Sequence, residues 1–356
     1  MKNRTEPMLS SYLHAKGARL GIPVSGTFEL TARCNFSCPM CYVHQQNAKA
    51  EQELSAAQWL SIAQAAKEQG MMFLLLTGGE PFLRKDFFEI YEGIKSLGLM
   101  ISINTNGSML SDKILQRLIE NPPVRVNISL YGGCAETYRN MCGQDAFDRV
   151  VGSIRALKSA GIDVRLSYSI TPFNRQDMEK ILTISREMDV HIKASSYMYP
   201  PARLECSAPG ARLTAEESAL CAVEWDQLRL SPEELAQRRN ALDGLECGLE
   251  MESDVGCRAG VTSFWITWDG RMLPCGMMTH PSVDVLDCGF ADAWTKIRGS
   301  ASQLRMPQAC RSCAKRSVCN VCAAVCLSET GKFDGVPDYV CRRTDEILRL
   351  LREDER

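Results

Sequence analysis

The 356-residue sequence lacks the features that mark membrane, secreted and nucleic-acid-binding proteins. It contains no apolar run near the roughly 20 residues that a membrane-spanning helix needs. The formal net charge is only −2, so charge favours neither nucleic acid nor an anionic membrane as a partner. The segment up to Pro23 has no apolar core of the kind found in a secretory signal. We therefore expect a cytoplasmic protein with no nucleic-acid or membrane partner.

Cysteine, in contrast, is abundant. The chain has 17 cysteines, an odd number in a chain too long to need a disulfide framework and without a visible export signal. Three of them lie within residues 34–41 and nine within 257–341. This clustering favours metal binding in a reducing compartment over disulfide formation.

The first cysteine group is Cys34, Cys38 and Cys41, with the spacing Cys-x3-Cys-x2-Cys and no fourth cysteine nearby. A structural zinc site takes four ligands, and a 4Fe–4S cluster takes one thiolate for each iron. Three thiolates are therefore one too few for either site. The spacing predicts a cluster with one open iron, and an open metal position is where chemistry occurs.

Short apolar runs alternate with amphipathic stretches between residues 26 and 200. The predicted strands are 27–31, 72–77, 100–105, 124–130, 164–170 and 191–198. The predicted helices are 55–69, 86–97, 112–120, 147–160 and 175–188. Such alternation predicts a parallel sheet with right-handed crossovers. Because there are six units and not eight, we expect an α/β fold of the open, partial (β/α)6 TIM type.

The remaining residues divide into four segments. An N-terminal extension covers residues 1–25, and a linker with helices at 215–228 and 232–242 covers 201–250. A small cysteine-rich α+β domain is expected over 251–344, with a hairpin turn on Asp269-Gly270. A final helix at 345–352 lies in the last segment, 345–356.

Small and polar residues follow the predicted strands at their C-terminal ends. The sequence Thr77-Gly78-Gly79-Glu80-Pro81 follows the second strand, Asn104-Thr105-Asn106-Gly107 ends the third and Ser129 ends the fourth. A Gly-Gly pair alone is also typical of a tight strand-to-helix turn, but it lets a backbone approach a ligand closely. In parallel barrels these ends share one mouth, so we expect the motifs to face the three-cysteine loop.

The Cys34, Cys38 and Cys41 motif, followed by Gly78-Gly79-Glu80-Pro81, resembles the radical S-adenosylmethionine (SAM) superfamily. The resemblance implies that the three cysteines hold a 4Fe–4S cluster whose open iron binds the amino and carboxylate groups of SAM. It further implies reductive cleavage of SAM to a 5′-deoxyadenosyl radical, which removes a hydrogen atom from the substrate. An oxygen-sensitive enzyme would be expected.

The resemblance also suggests roles for residues at the other strand ends. The implied SAM contacts are Thr77, Gly78, Gly79 and Glu80 for the amino group, Asn104 and Asn106 on the ribose side, Ser129 and Arg139 for ribose and carboxylate, and Met198 for adenine. A solvated helix charge is the alternative for Arg139, and core packing is the alternative for Met198. Met40 replaces an aromatic residue often found before the third cysteine, a change the family tolerates.

The second cysteine group is spread over the C-terminal region. It comprises Cys257, Cys275, Cys310, Cys313, Cys319, Cys322, Cys326 and Cys341. Paired Cys-x2-Cys spacing suits ligands of one metal centre, and zinc ribbons have the same spacing. The segment resembles the SPASM extension of radical SAM enzymes, which implies two auxiliary 4Fe–4S clusters.

By this analogy, one cluster would be held by Cys310, Cys313, Cys319 and Cys341. The other would be held by Cys257, Cys275 and two of Cys322, Cys326 and Cys247. Fully ligated clusters would serve electron transfer, whereas an open one could bind substrate.

Two further positions bear on the reaction. Sulfatase-maturating members of the family carry an aspartate, which resembles a base, at the position of Gly276. The glycine weakens the hypothesis that this enzyme dehydrogenates a serine or cysteine. No catalytic residue is identified. Cys142 is a weak candidate because it lies three residues from Arg139, although a free cysteine is more often a small buried hydrophobe.

The resemblance favours a radical SAM enzyme that modifies a peptide or protein by cross-linking, epimerisation or oxidation. The expected partners are that substrate, an electron donor such as flavodoxin or ferredoxin, and a separate peptide-recognition protein. The last is suggested because about 25 residues before the barrel are too few for the winged leader-binding domain of many relatives. A leaderless substrate or a small-molecule substrate is also compatible with this short segment, and the runner-up interpretation is a small-molecule radical SAM oxidoreductase or cofactor-pathway enzyme. A non-enzymatic iron–sulfur carrier would explain the cysteines but not the open site or Gly78–Pro81.

Overall fold

The computed structural model describes residues 5–43, 53–200, 210–243, 257–316 and 318–353. The strands are β1 Ser25–Glu29, β2 Phe73–Thr77, β3 Met100–Thr105, β4 Arg125–Ser129, β5 Val164–Ser169, β6 His191–Ser195, β7 Ser263–Ile266, β8 Arg271–Leu273 and β9 Val283–Asp284. The first seven helices are α1 Thr5–Leu20, α2 Ala56–Glu68, α3 Phe87–Ser96, α4 Asp112–Glu120, α5 Ala135–Cys142, α6 Phe147–Ser159 and α7 Met178–Glu187. The remaining helices are α8 Ala215–Arg229, α9 Pro232–Asp243, α10 Val285–Gln303, α11 Gln308–Arg311, α12 Ala323–Thr330 and α13 Asp338–Glu353.

A single sheet organises the described residues, with the strand order β6-β5-β4-β3-β2-β1-β7-β8-β9. Strands β1 to β6 are parallel and lie side by side in chain order, each separated from the next by at least one helix. This is the open, six-unit arrangement predicted from the sequence, and the α/β fold class is confirmed. The carboxyl ends of the six strands consequently share one edge of the sheet.

Helix α2 illustrates why these segments form the outer layer. Ser55 caps the helix through a reciprocal capping box with Gln58, which satisfies N–H groups that the first turn leaves unpaired. The helix buries Trp59 completely, with its ring 4.8 Å from the ring of Phe28 on β1. Burying an aromatic side chain of this size stabilises the fold by roughly 1.5–3 kcal/mol.

The predicted hairpin on Asp269-Gly270 is confirmed as the turn between β7 and β8. Gly270 has a φ of +90°, which disfavours residues with a side chain, and its N–H donates to the carbonyl of Thr267 at 2.9 Å. Strand β7 pairs in parallel with β1. The cysteine-rich region therefore begins by extending the barrel sheet, a connection that the sequence pattern did not predict.

Several boundaries differ from the sequence-based expectations. The last helix begins at Asp338 instead of 345, immediately after Pro337, so Cys341 lies on the helix. Strand β6 ends at Ser195 instead of 198, and residues 175–177 form a short 3₁₀ helix before α7. The sequence did not predict five of the helices, namely α1, α5, α10, α11 and α12. Each of them is short, weakly amphipathic or close to cysteines in the sequence.

Within the described ranges, no helix is both long and apolar enough to cross a membrane.

Candidate functional site

The three-cysteine loop leaves β1 at the C-terminal edge of the sheet. Its first residue, Leu30, donates its N–H to the carbonyl of Thr77 at the end of β2 over 2.8 Å. Cys34, Cys38 and Cys41 are all partly buried. The N–H of Cys41 donates to the carbonyl of Cys38 at 3.2 Å, which makes a tight turn between the last two cysteines. The loop thus holds its thiols at the barrel mouth, as predicted.

Cys34 and Cys38 lie in a buried environment that favours the neutral thiol when no metal is bound. Burial raises the pKa of Cys34 to about 12, and the nearby Glu80, Cys38 and Cys41 raise it as well. The pKa of Cys38 is also well above its usual value, first because of its hydrogen bond with the thiol of Cys142 and then because of burial. Three partly buried thiolates beside a carboxyl group need a compensating positive charge, and iron supplies one when it displaces the thiol protons.

In the described part of the chain, no group of three Cys, His, Asp or Glu side chains converges on a point where a single metal ion could be held. A 4Fe–4S cluster makes a different demand, because each thiolate binds a different iron and the sulfur atoms need not converge. Backbone and amide donors point at the first sulfur: the N–H of Phe36 lies 3.4 Å and Nδ2 of Asn106 3.8 Å from Sγ of Cys34. The donor set therefore fits a cluster.

Gly78 and Gly79 pack directly against the base of the cysteine loop. The N–H of Gly79 donates to the carbonyl of Thr31 at 2.7 Å. A Cβ atom at Gly78 would lie 2.6 Å from that carbonyl oxygen, and one at Gly79 would lie 2.2 Å from the carbonyl oxygen of Arg33. Both contacts are too short for a side chain. Glycine is thus required at both positions because the two loops approach each other closely. A direct contact of these glycines with SAM remains a prediction.

Glu80 is completely buried and braces two strand-end loops. Its carboxylate accepts hydrogen bonds from the N–H of Phe82 at 3.1 Å, the hydroxyl of Thr105 at 2.9 Å and the N–H of Asn106 at 2.8 Å. Burial raises the pKa of Glu80 to about 7, against the opposing effect of these donors. Glu80 therefore joins the loop after β2 to the loop after β3.

Asn106 links the loop after β3 to the cysteine loop. Its Nδ2 donates to Oδ1 of Asn35 at 2.8 Å, and its Oδ1 accepts from the N–H and hydroxyl of Ser108 at 2.9 and 2.7 Å. Ser108 in turn accepts a bond of 2.9 Å from Nδ2 of Asn35. Asn35 and Ser108 were not predicted as site residues, although Asn35 lies between two of the cysteines in the sequence.

The other predicted SAM contacts occupy more varied positions. Asn104 on β3 accepts a hydrogen bond of 2.8 Å from Nδ2 of Asn127 on β4, while Ser129 ends β4 at the same edge. Arg139 on α5 is half exposed and forms an ion pair of 2.6 Å with Asp145. Met198, partly buried, follows β6. The exposed ion pair of Arg139 is the environment of an ordinary helix charge, and the ligand roles of these residues stay predictions.

A buried network of ion pairs and hydrogen bonds contacts the start of the cysteine loop. The sequence pattern did not predict it. Arg33 donates to both carboxylate oxygens of Glu53, at 2.8 and 2.9 Å, and Thr31 also donates to Glu53. Arg84 lies 3.6 Å from the same carboxylate and donates to the carbonyl of Leu30 at 2.8 Å. The side chains of Arg84 and Glu53 are each only 4% exposed, so solvent screens their attraction weakly.

The C-terminal cysteines form two neighbouring groups. Burial raises the pKa of Cys341, and the nearby Cys319, Cys310 and Cys313 raise it further. Burial also raises the pKa of Tyr199, with further effects from Cys322, Cys275 and Cys257, which lie around that ring. These two sets have the membership that the analogy implies, and the partition of the cysteines between two clusters stays a prediction.

Cys326 lies between the two groups. Burial raises its pKa to about 12, and the thiols of Cys310, Cys322 and Cys319 act in the same direction. Cys247 lies outside the described residues.

Gly276, directly after Cys275, packs against the indole of Trp265. A Cβ atom at this position would lie 2.8 Å from two ring atoms of Trp265. Trp265 is itself held by a 2.8 Å hydrogen bond from Nε1 to Glu29 on β1. The space beside Gly276 is therefore occupied by the indole of Trp265.

Cys142 is fully buried beside the cysteine loop. Its carbonyl accepts from the N–H of Ser37 at 3.0 Å, and its thiol is hydrogen-bonded to that of Cys38. The structure therefore brings this weak catalytic candidate to the site, where a catalytic role is still a prediction. Cys288 lies elsewhere, on α10, and donates to the carbonyl of Asp284 at 3.4 Å.

Comparison with known proteins places this geometry in a family. Residues 28–187 match the radical SAM superfamily. A "Probable GTP 3',8-cyclase" of Saccharolobus islandicus is 34% identical over 176 residues, which cover 49% of this chain and only 56% of that relative. An "AdoMet-dependent heme synthase" of Methanosarcina barkeri is 24% identical over 331 residues, covering 86% of this chain and 93% of that relative.

Solved structures share the fold over nearly the whole chain. SuiB of Streptococcus suis bound to the precursor peptide SuiA matches with a TM-score of 0.70 and 17% identity, covering 96% of this chain and 82% of that one. The structure of anSMEcpe with bound AdoMet matches with a TM-score of 0.72 and 16% identity, covering 93% of this chain and 98% of that one. Both matches extend into the cysteine-rich region, consistent with the SPASM resemblance.

Residues 28–187 form a radical SAM domain, and the recognition made from Cys34 to Cys41 and Gly78 to Pro81 is confirmed. The cofactors that the family implies are a 4Fe–4S cluster and SAM, and the buried three-thiol loop fits them.

Proposed function

We propose that this radical SAM enzyme modifies a peptide or protein, by forming a cross-link, inverting a stereocentre or oxidising a side chain. The main support is the likeness of the chain, over 96% of its length, to a structure solved with a precursor peptide. That likeness covers the partial barrel and the cysteine-rich region together. The fold alone does not determine a substrate, so this proposal depends on a direct test.

In this proposal the chain's residues position the cofactors and exclude water. Cys34, Cys38 and Cys41 hold the cluster by three thiolates, while Glu80 and Asn106 hold the surrounding loops in place. When bound, the cluster and SAM supply a 5′-deoxyadenosyl radical that removes a hydrogen atom from the substrate. The partly buried loop limits the access of solvent to that radical.

The C-terminal cysteines would hold two auxiliary clusters, one on Cys310, Cys313, Cys319 and Cys341 and one on Cys257, Cys275 and Cys322 with a fourth ligand. Their role would be to carry an electron away from an oxidised substrate. A flavodoxin or ferredoxin would supply the electron that starts the reaction. A separate recognition protein for the peptide and a cytoplasmic location also belong to this proposal.

A reaction on a small molecule is the second candidate. The relatives named GTP 3',8-cyclase and AdoMet-dependent heme synthase favour it, since both names describe small-molecule chemistry. The heme synthase match covers 86% of this chain, so it also includes the cysteine-rich region.

Product analysis separates the two candidates. The anaerobically reconstituted enzyme, with SAM and dithionite, is incubated with a short peptide encoded beside its gene, and the peptide mass is measured. Peptide modification predicts a mass change or a change in chromatographic mobility that the Cys34→Ala variant abolishes and the Cys288→Ala variant retains. An unchanged peptide, combined with turnover of a nucleotide or porphyrin substrate, would establish the second candidate.

Iron and zinc analysis tests the auxiliary clusters. Three clusters predict about twelve irons per chain, and the Cys313→Ala variant should lose about four of them. The Cys288→Ala variant should lose none, because its thiol lies outside both groups. Stoichiometric zinc in the purified protein would contradict the auxiliary-cluster proposal.

A further inference from the structure

A cavity of about 490 Å³ lies between the end of β6, helices α8 and α13, and the cysteine-rich region. Its size falls within the range of ligand-binding pockets, roughly 300–1,000 Å³. Its lining includes Lys193, Ser196, Tyr199, Trp225, Asp226 and Arg343. None of them belongs to the three-cysteine site.

The cavity lies at the same edge of the sheet as the cysteine loop. Ile170, directly after β5, and Ser195, the last residue of β6, both line it. Because β1, β5 and β6 run parallel, these carboxyl ends and the loop after β1 face the same side. A molecule held in the cavity would consequently be anchored at the barrel mouth.

Strand β6 is the terminal strand at one end of the sheet formed by the described residues. Its residues 193–195 line the cavity. An edge strand presents backbone N–H and C=O groups that an extended peptide can pair with. The cavity therefore combines an edge for the backbone of a peptide with a pocket for one of its side chains.

Arg343 on α13 is held rigidly at the wall of this cavity. Its Nε donates to the hydroxyl of Ser218 at 2.8 Å and its Nη2 donates to the hydroxyl of Ser196 at 3.1 Å. A guanidinium has five N–H donors in a planar fork, so these two bonds orient the group without using all its donors. In the described ranges its polar partners are hydroxyls, and no carboxylate forms an ion pair with it.

The remaining charges leave the cavity positive. Lys193 on β6 is exposed and, among the described side chains, forms no ion pair. Asp226 is the acidic residue of the lining, and it is already paired with Arg238 at 2.5 Å and with Arg229 at 3.2 Å. Partial burial lowers the pKa of Arg343, an unfavourable setting for its charge that a bound anion would relieve.

Aromatic side chains form the apolar part of the wall. Trp225 on α8 is buried and packs on Tyr168 with ring centroids 5.7 Å apart. Tyr197 and Tyr199 also line the cavity, with ring centroids 5.1 Å apart. Rigid aromatic surfaces of this kind contact peptide side chains at a small entropic cost.

We propose that this cavity binds an acidic side chain of an extended peptide that lies along the edge of β6, with its carboxylate held by Arg343 and Lys193. This inference rests on the proposed peptide-modifying function and adds a recognition rule to it. An acid placed in the cavity would anchor the peptide at a defined distance from the barrel mouth. A planar guanidinium can bind a carboxylate through two parallel hydrogen bonds, which favours aspartate or glutamate over their amides.

The test uses the full chain, reconstituted and immobilised under anaerobic conditions, and a phage library of random heptapeptides. The wild-type enzyme should enrich aspartate- and glutamate-containing peptides over the starting library. Synthetic peptides from this selection should bind the Arg343→Gln and Lys193→Gln variants about tenfold or more weakly, the loss expected for a charged hydrogen bond. Arg343→Lys should fall between, because it keeps the charge but loses the fork.

The matched control is Arg342→Gln, which changes a neighbouring arginine of α13 that pairs with Glu216 and Asp338 on the surface. This variant should bind the selected peptides like the wild type. If Arg343→Gln does not fold, the exposed Lys193→Gln variant decides the result. No acidic enrichment, or equal binding by the cavity variants and the wild type, would overturn the proposal.

A small carboxylic acid is the competing occupant. Binding of glutarate that depends on Arg343, without enrichment of acidic peptides, would overturn the peptide as ligand. Failure of the proposed function itself gives a different pattern, namely acidic peptides that bind but are never altered in mass. Conversely, modified peptides without any acidic preference would remove the cavity proposal and leave the proposed function in place.

Discussion

The carboxylate of Glu80 accepts a hydrogen bond of 2.8 Å from the N–H of Asn106, and this bond joins the loop after β2 to the loop after β3. Asn106 then reaches Asn35 in the cysteine loop. Three strand-end loops are thus connected around the thiol of Cys34 by hydrogen bonds among buried groups. Such a network specifies one arrangement of the site, because each donor that loses its partner carries a desolvation cost of about 1–3 kcal/mol.

Replacing Glu80 by glutamine should change how stability depends on pH. The pKa of Glu80 is about 7 in the folded chain and 4.5 ordinarily, so the folded state binds this proton more tightly. The free energy of unfolding should therefore fall as the pH rises from 4.5 to about 7. Above that range the contribution of Glu80 no longer changes with pH.

The Glu80→Gln variant removes this titration and should show a flatter curve over that interval. Urea unfolding of the metal-free protein at several pH values measures the difference, with the exposed Glu89→Gln as the control. Parallel curves for Glu80→Gln and the wild type would show that Glu80 keeps an ordinary pKa.

Removing Arg84 should destabilise the base of the cysteine loop. The Arg84→Ala change leaves Glu53 buried with one partner fewer and removes the bond to the carbonyl of Leu30. Breaking a buried ion pair costs about 3–5 kcal/mol, which urea unfolding would measure. Arg117→Ala, which breaks the half-exposed pair with Glu92, should cost less than about 1 kcal/mol. Equal losses for the two variants would contradict the supporting role of the buried network.

A methyl group at Gly79 should displace the cysteine loop. The new Cβ would lie 2.2 Å from the carbonyl oxygen of Arg33, so one of the two loops must move. We expect Gly79→Ala to lower both the iron content and the binding of SAM, measured by metal analysis and calorimetry. The control is Gly299→Ala on α10, where nothing lies within 4 Å and the change should stabilise the helix by about 0.5–1 kcal/mol. Normal iron content in Gly79→Ala would show that the loops do not need this close approach.

An aspartate introduced at position 276 should not supply a catalytic base, because the site has no room for its side chain. Both Gly276→Ala and Gly276→Asp place a Cβ atom 2.8 Å from the indole of Trp265, and overpacking of this kind costs about 1–3 kcal/mol. We expect similar losses of thermal stability in the two variants and no oxidation of a serine- or cysteine-containing peptide by Gly276→Asp. Formation of the oxidised peptide would mean that position 276 can still present a base.

The sequence allowed accurate prediction of features that depend on local pattern. Alternating apolar runs located β1 to β6, and the cysteine spacing with Gly78-Gly79 located the site. The parallel pairing of β7 with β1 depends on contacts between residues more than 230 positions apart, such as Phe28 with Ile266. A local sequence pattern does not indicate pairing between distant segments. The joining of β7 to the barrel sheet was therefore not predicted.

The supporting residues of the site were missed for a similar reason. Glu53 and Arg84 are ordinary charged residues in the sequence, and only the fold places their side chains together beneath the loop. The cavity at β6 likewise depends on Ser196, which follows β6, and on Arg343 of α13, which is hydrogen-bonded to Ser218 of α8. The last helix was predicted to begin at residue 345, whereas it begins at Asp338 and has Cys341 in its first turn.

Formation of 5′-deoxyadenosine tests the central claim most directly. Anaerobically reconstituted wild-type enzyme, SAM and dithionite should yield 5′-deoxyadenosine, measured by liquid chromatography with mass spectrometry. The triple variant Cys34→Ala, Cys38→Ala and Cys41→Ala should yield none, because it cannot hold the cluster, whereas Cys288→Ala should match the wild type. The absence of 5′-deoxyadenosine from fully reconstituted wild-type enzyme, or its equal formation by the triple variant, would contradict the account.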